Sequence, residues 1–229
     1  MPHASPYQLS PAHHALARRG AAWADHHGWR IAASYGSPAR ETEALRAAGG
    51  FCDLSHLPKL ECNGSQLDAH LPAVLSIDSL PLPGSGVISG GVCAYRFTRD
   101  QLLLCGASTG SSIPRVTEGP DTCLHCLDRT AGLLCYLIAG PCSIHVLNRL
   151  TSLDLRESRF PNLSCARASL ARVNTWMARC DLGSLSAFRV FAGREYGEYL
   201  CDVILETGGA FGLAPVGLEA LAHLEPAHV

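Results

Sequence analysis

The stretch GWRIAASYGSPARETEALRAAGGFCDLSHL, residues 28–57, decides how the rest of the chain is read. Its middle is a helix with a marked start and stop. Ser37 offers an N-cap hydroxyl, Pro38 suits the first helical position, and Glu41 sits in the first turn, where the helix dipole favours an acid. Gly49-Gly50 then ends the helix. The order of an aromatic entry, a capped helix and a glycine-led apolar segment closing on Ser55-His56-Leu57 is too particular for a generic globular sequence.

Working outward, residues 1–12 read as an irregular N-terminal arm, and His13 to His27 as a short helix with Leu16 and Trp23 on one side, weakened by Gly20. Leu60 to Asn63 reads as a strand. Ser65 opens a helix carrying Leu67, Leu71 and Leu75 at four-residue spacing, with Pro72 inside it. PLPGSGVISGG, residues 81–91, is the most turn-rich segment, and Val92–Phe97 with Gln101–Cys105 form a hairpin. Residues 106–121 read as a loop. Leu133–Ala139 is a buried strand, Gly140-Pro141 starts a helix, and the Ala/Ser segment 164–172 leads into strands at Val173–Arg179 and Ser186–Phe191. Tyr196–Thr207 is the last clear helix, stopping at Gly208-Gly209. Hairpins mixed with capped helices predict an α+β fold with mixed and antiparallel sheets, not regular βαβ winding. Residues 13–229 fit a single domain of two lobes.

Composition narrows the function classes. With 47% hydrophobic and 17% charged residues and a formal charge of −2, the chain has an ordinary globular balance and no basic stripe. No nucleic-acid partner is therefore expected. The N-terminus lacks a charged then apolar leader, and no window reaches the ~20 apolar residues of a spanning helix, so a cytoplasmic protein without a membrane partner is expected. Eleven cysteines lie mostly in apolar runs and are expected to stay reduced.

Most of the chemical motifs point to bland readings. Cys123-Leu124-His125-Cys126 has one half of a zinc site, but Cys135 and Cys142 downstream lie in strand and helix-start contexts and do not make the second tight pair. No metal is expected. Nothing places Cys123 at a helix N-terminus, so thioredoxin-like chemistry is not indicated either. The histidine pairs 13-14 and 26-27, if helical, point about 100° apart and suit solvent better than a shared metal. The common hydrolase, zincin and nucleotide motifs are missing.

Trp29, Tyr35, Glu41, Arg46, Gly50, Phe51, Asp53, Ser55 and His56 follow the order GW-x-x-P-x-x-Y, E-x-x-x-x-R, G-x-F-D-x-S-H-M. In this the chain resembles the tetrahydrofolate-binding domain that opens the glycine cleavage T-protein (aminomethyltransferase) family. The resemblance implies a T-protein-like fold without the C-terminal barrel, and tetrahydrofolate as cofactor. It also shows departures. The family's acidic pair, in a pattern like GG-x-x-DD, falls on Gly90-Gly91; its strand asparagine falls on Gly106; and in GLAPVGLEALAHLE its Arg-Asp pair falls on Leu221-Ala222, leaving only Val216, Leu218 and Leu224 as packing matches.

Transfer of a one-carbon unit needs a carboxylate to orient the folate and stabilise the developing iminium, and another to accept from the pterin N–H groups. The resemblance assigns no catalytic residue here. It leaves Leu57, in the family's methionine position, as an apolar folate wall, and Glu195 or Glu198 as the pterin acid, each also readable as an acid at a helix N-terminus. Stand-alone copies of this half resemble the gamma subunit of heterotetrameric sarcosine oxidase. The expectation is an accessory subunit in one-carbon metabolism, beside larger flavin- or metal-containing catalytic subunits that oxidise or demethylate N-methyl amines, with tetrahydrofolate at the interface. The alternative is a free-standing tetrahydrofolate-dependent aminomethyl- or methyltransferase. A third class, the relatives that maintain iron–sulfur clusters, carries K-G-C-Y-x-G-Q-E, which this sequence lacks.

Overall fold

Alternation along one strand explains the layering. In the computed structural model, which describes residues 8–108, 110–116 and 123–224, the strand Leu133–Ala139 sends Leu134, Tyr136 and Ile138 to one face and Leu133, Cys135, Leu137 and Ala139 to the other. Both faces are buried. A strand covered on both sides loses the polar alternation of a solvated sheet and becomes a continuous apolar run, which is what the sequence LLCYLIA shows.

In chain order the elements are β1 (Gln8–Leu9), α1 (His13–Arg18), β2 (Ala22–His26), β3 (Trp29–Ser34), α2 (Pro38–Ala47), β4 (Gly50–Asp53), β5 (Lys59–Gly64), α3 (Leu67–Leu75) and β6 (Ser85–Ser89). The hairpin β7 (Val92–Thr98) and β8 (Gln101–Gly106) follows, then β9 (Leu124–Asp128), β10 (Leu133–Ala139), α4 (Ser143–Leu147), β11 (Cys165–Leu170), β12 (Val173–Arg179) and β13 (Ala187–Gly193). A 3₁₀ turn at Arg194–Tyr196 leads into α5 (Gly197–Gly209), β14 (Ala214–Pro215) and α6 (Leu218–Ala222).

A six-stranded sheet, β11-β12-β13-β10-β4-β14, faces a five-stranded sheet, β6-β7-β8-β5-β9. Between them lie Cys52, Leu137 and Phe191 from the first and Tyr95, Leu103 and Cys105 from the second. Leucines 134 and 200, Tyr136 and Ile204 fill the outer face of the first sheet beneath α1, α4 and α5. The stripe Leu67, Leu71, Leu75 of α3 covers the outer face of the second. At ~1.5–3 kcal/mol for each fully buried aliphatic side chain, these three layers supply the main stabilising term.

Several expectations are corrected. The helix expected over 13–27 stops at Arg18; residues 22–26 instead pair antiparallel with β3, and the Trp23 ring lies 4.3 Å from that of His13. Ladder hydrogen bonds to β3 outweigh the weak helical pattern there. The N-terminal arm is ordered at its end, where Gln8 and Leu9 pair parallel with Trp29 and Arg30, while residues 1–7 lie outside the described ones. Ser85–Ser89, inside the turn-rich segment, is a strand paired with β7, and the Ala/Ser segment 165–170 is β11, paired with β12. Small polar side chains there record edge exposure rather than a loop. The capped helix stands as read, with Ser37 Oγ accepting from Arg40 N at 3.5 Å.

Glu41 does more than complement a dipole. Its carboxylate accepts from Tyr35 N at 2.7 Å and Gly217 N at 2.8 Å, tying the end of β3 to the segment before α6. Among the described residues no helix is long and apolar enough to cross a membrane.

Candidate functional site

The loop between β4 and β5 is held from beneath by a buried polar network. Asp53 accepts from Ser10 Oγ, from Ser55 N at 2.9 Å and from Ser55 Oγ at 2.5 Å, and Ser55 Oγ in turn accepts from Cys135 N at 3.0 Å. Burial raises the Asp53 carboxyl pKa, against these hydrogen bonds. Lys59 turns its ammonium back into the loop, donating to Ser55 O at 2.9 Å and Leu57 O at 2.7 Å, and burial lowers its pKa. These bonds fix the backbone path of residues 54–58 from beneath.

Above this loop opens a cleft of about 1160 Å³, lined by Trp29, His56, Leu57, residues 110–116 and the Cys126–Thr130 side of β9. Trp29 is buried, with the Arg194 guanidinium 5.4 Å above its ring, and Arg194 also donates to Leu9 O at 2.6 Å. His56 is 6% exposed, and neither ring nitrogen has a hydrogen-bond partner. Burial, reinforced by His26 at 5.7 Å between ring centroids, lowers the His56 pKa to about 3. The imidazole is therefore neutral at pH 7, with one donor and one acceptor unspent in the wall of a cleft.

The three residues expected to touch a cofactor are not brought together. Leu57 is 1% exposed and lines the cleft. Glu195 is exposed on the 3₁₀ turn, outside the cleft's lining, with its carboxylate folded over Gly193. Glu198 accepts from His14 N at 2.8 Å and Ala15 N at 2.6 Å, so its carboxylate caps α1, a helix distant in sequence, rather than its own. The structural duty of this acid lies across 184 residues of chain, a pairing that no local pattern encodes.

The glycines on which the resemblance places the family's polar residues are built into the fold. Gly90 and Gly91 have φ of 54° and 74° and join Ser89 to its partner Val92 in a two-residue hairpin turn of the kind that favours glycine. A Cβ on Gly91 would lie 3.6 Å from the hydroxyl of Ser111, a cleft residue, so a side chain there would stand at the rim. At Gly106 a Cβ would lie 3.1 Å from both Pro58 and Ser111, leaving no room for an amide side chain without displacement. The Gly106 carbonyl accepts from Arg189 Nη1 at 2.8 Å, and Ala107 O accepts from Nη2 at 2.5 Å. Arg189, buried between the sheets, was not singled out by the sequence; an arginine within the strand AFRVFAG is the signal that was there.

Among the described residues no three His, Cys, Asp or Glu side chains converge as metal ligands. The cysteines of the suspected half-site diverge: Cys126 lies against Cys62, Cys135 faces the inter-sheet core, and Cys142 packs beneath the helices. His26 sits on a strand, not a helix, and thereby reaches His56.

The GCVT N-terminal domain family matches residues 12–226. The aminomethyltransferase of Desulfitobacterium hafniense (strain DSM 10664 / DCB-2) is 24% identical over 227 residues, covering 92% of this chain and 61% of that relative. The aminomethyltransferase of Bacillus velezensis is 25% identical over 209 residues, covering 86% of this chain and 57% of that relative. This chain thus spans about three fifths of the length of the curated relatives it matches. Among solved structures, glycine cleavage system aminomethyltransferase T from Bartonella henselae superposes with a TM-score of 0.77 at 17% identity, over 95% of this chain and 61% of that one. Heterotetrameric sarcosine oxidase from Corynebacterium sp. U-96, in complex with pyrrole 2-carboxylate, gives 0.59 at 18% identity, over 90% of this chain and 97% of the matched one. The fold is that of a T-protein-like folate-binding domain, as the α+β reading implied.

Proposed function

This chain belongs to the GCVT N-terminal domain family, and we propose that it is an accessory, non-catalytic subunit of a multi-subunit enzyme that oxidises or demethylates N-methyl amines. Its partners are larger catalytic subunits that hold a flavin or a metal. The observation that carries this reading is the hairpin tip at the cleft rim, where Gly90-Gly91 stand in place of an acidic pair. Orientation of a folate and stabilisation of an iminium both depend on a placed carboxylate, and a glycine supplies neither. Asp128 is the acid among the described residues of the cleft's lining. The likeness of the fold to a chain of heterotetrameric sarcosine oxidase supports the same reading.

The residues present fit part of a tetrahydrofolate. Trp29 and Leu57 offer an apolar wall, and the unpartnered His56 imidazole offers a hydrogen bond. They do not fit the reaction, since the rim carboxylate is missing. We therefore place folate at a partner interface, with Leu57 as the wall and the pterin acid supplied from outside this cleft, since Glu195 lies beyond its lining and Glu198 is spent on α1. The carbon released from the amine would be trapped there and not transferred by this chain.

Tagged and isolated from its own cells, the protein is expected to co-purify with a flavoprotein or metalloprotein that oxidises an N-methyl amine. The second reading, a free-standing tetrahydrofolate-dependent transferase, is favoured by the aminomethyltransferase relatives that cover 92% of the chain. A lone monomer that binds tetrahydrofolate with micromolar affinity and turns over a methyl or aminomethyl donor would establish it and remove the subunit reading.

A further inference from the structure

Cys62 and Cys126 stand directly opposite each other on the antiparallel pair β5–β9, with their sulfurs 3.0 Å apart. We propose that they form a thiol–disulfide modification site: a small disulfide of the glutathione class converts the pair to a cross-strand disulfide that staples β9 to its sheet. This inference is independent of whether the cleft takes folate.

Register and packing carry it. Residues directly opposite in an antiparallel ladder have Cα atoms about 4.5–5.5 Å apart, inside the range of about 4.4–6.8 Å that a disulfide spans. The ladder brings β9 in tightly. Gly64, at the end of β5, faces Cys123, and a Cβ there would fall 1.8 Å from the Cys123 carbonyl oxygen. Because β9 is an edge strand whose sheet neighbour is β5, a single covalent link holds one wall of the cleft.

The two thiols differ in access, which assigns their roles. Cys126 is half-buried and lines the cleft, whereas Cys62 is fully buried beside Leu67, Leu71 and Leu102. Cys126 loses its proton to solvent and attacks one sulfur of the small disulfide; that S–S bond breaks and one small thiolate leaves. Cys62 then attacks the Cys126 sulfur, its thiol proton passing to the departing small thiolate, so that the internal disulfide forms and the second small thiol leaves. Two protein thiols are oxidised by two electrons, and one small disulfide is reduced to two thiols. Other cysteines lack this combination. Cys123 is exposed but precedes the ladder, while Cys93, Cys105 and Cys135 are buried between the sheets.

The test exposes the reduced, full-length protein to oxidised glutathione and maps tryptic peptides without reduction. A link between peptide 60–96, which holds Cys62 and Cys93, and peptide 116–129, which holds Cys123 and Cys126, is expected in most of the protein. It should persist in Cys93→Ser and Cys123→Ser and vanish in Cys62→Ala and Cys126→Ala. Circular dichroism of each variant confirms that it is folded. A wild-type protein that yields no link, a link that survives Cys126→Ala, or oxidation that stops as a glutathione adduct on Cys126 would each overturn the proposal.

Discussion

The floor of the cleft and its rim are built on opposite terms. Beneath the cleft, Asp53, Ser55, Ser10 and Lys59 are buried and fully engaged with one another or with backbone. At the rim, the turn is two glycines and the wall carries an imidazole with no partner. Both regions descend from one family pattern. The polar groups of the floor each hold a strand or loop in place, so removing one costs stability.

The contrast can be broken most forcefully at Asp53. Asp53→Ala leaves the Ser10 hydroxyl and the Ser55 amide and hydroxyl without their acceptor, and is expected to cost roughly 2–4 kcal/mol in urea unfolding. Asp53→Asn, which keeps one acceptor oxygen, should cost less. A loss below that of an ordinary surface substitution would show that the floor is not what holds the domain.

Glu41→Ala strands the Tyr35 and Gly217 amides, and a loss of about 2–3 kcal/mol is expected by the same measurement. Both variants should leave any small-molecule binding that survives folding unchanged in stoichiometry.

His56 predicts the reverse sign. Replacing it with Leu removes two unpartnered buried nitrogens and should raise stability by roughly 1–2 kcal/mol while weakening ligand capture in the cleft. The pH profile sharpens this. The folded state holds the imidazole neutral down to about pH 3, whereas an unfolded histidine titrates near 6.5. Between those values the unfolded chain binds the extra proton, so stability is full above about 6.5 and falls as the pH drops toward about 3. Thermal melts of His56→Leu should show a flatter acid limb than those of the wild type.

The smallest effect is expected at Glu198. Glu198→Ala uncaps α1 and should cost ~1 kcal/mol, with no change in a tetrahydrofolate titration. A large loss of folate binding in a folded Glu198→Ala protein would reassign this acid to the cleft.

Much of the framework was legible before any coordinates. The Ser37–Pro38 cap and the hairpin at 92–106 rest on interactions within a few residues, and the strand at 133–139 announces itself as a continuous apolar run although its ladder partners lie far off in sequence. The 13–27 segment and Ser85–Ser89 were misread because hairpin pairing with the next strand outweighed the local helical or turn pattern. Of the candidate residues, Leu57 lines the cleft, and a side chain at Gly91 would meet Ser111 of its lining. What each polar group does was not legible in the sequence.

The sequence by itself determined the family framework and the absence of an acidic pair at 90–91, because both are properties of residue identity and order. Only the tertiary structure decided that Glu198 caps α1, that Glu41 bridges β3 to residue 217, that His56 is left without a partner, and that Cys62 meets Cys126. Each of these depends on which distant backbone amide, ring or thiol arrives at a given point once two sheets have stacked, and that is fixed by packing over the whole chain rather than by any local run of residues.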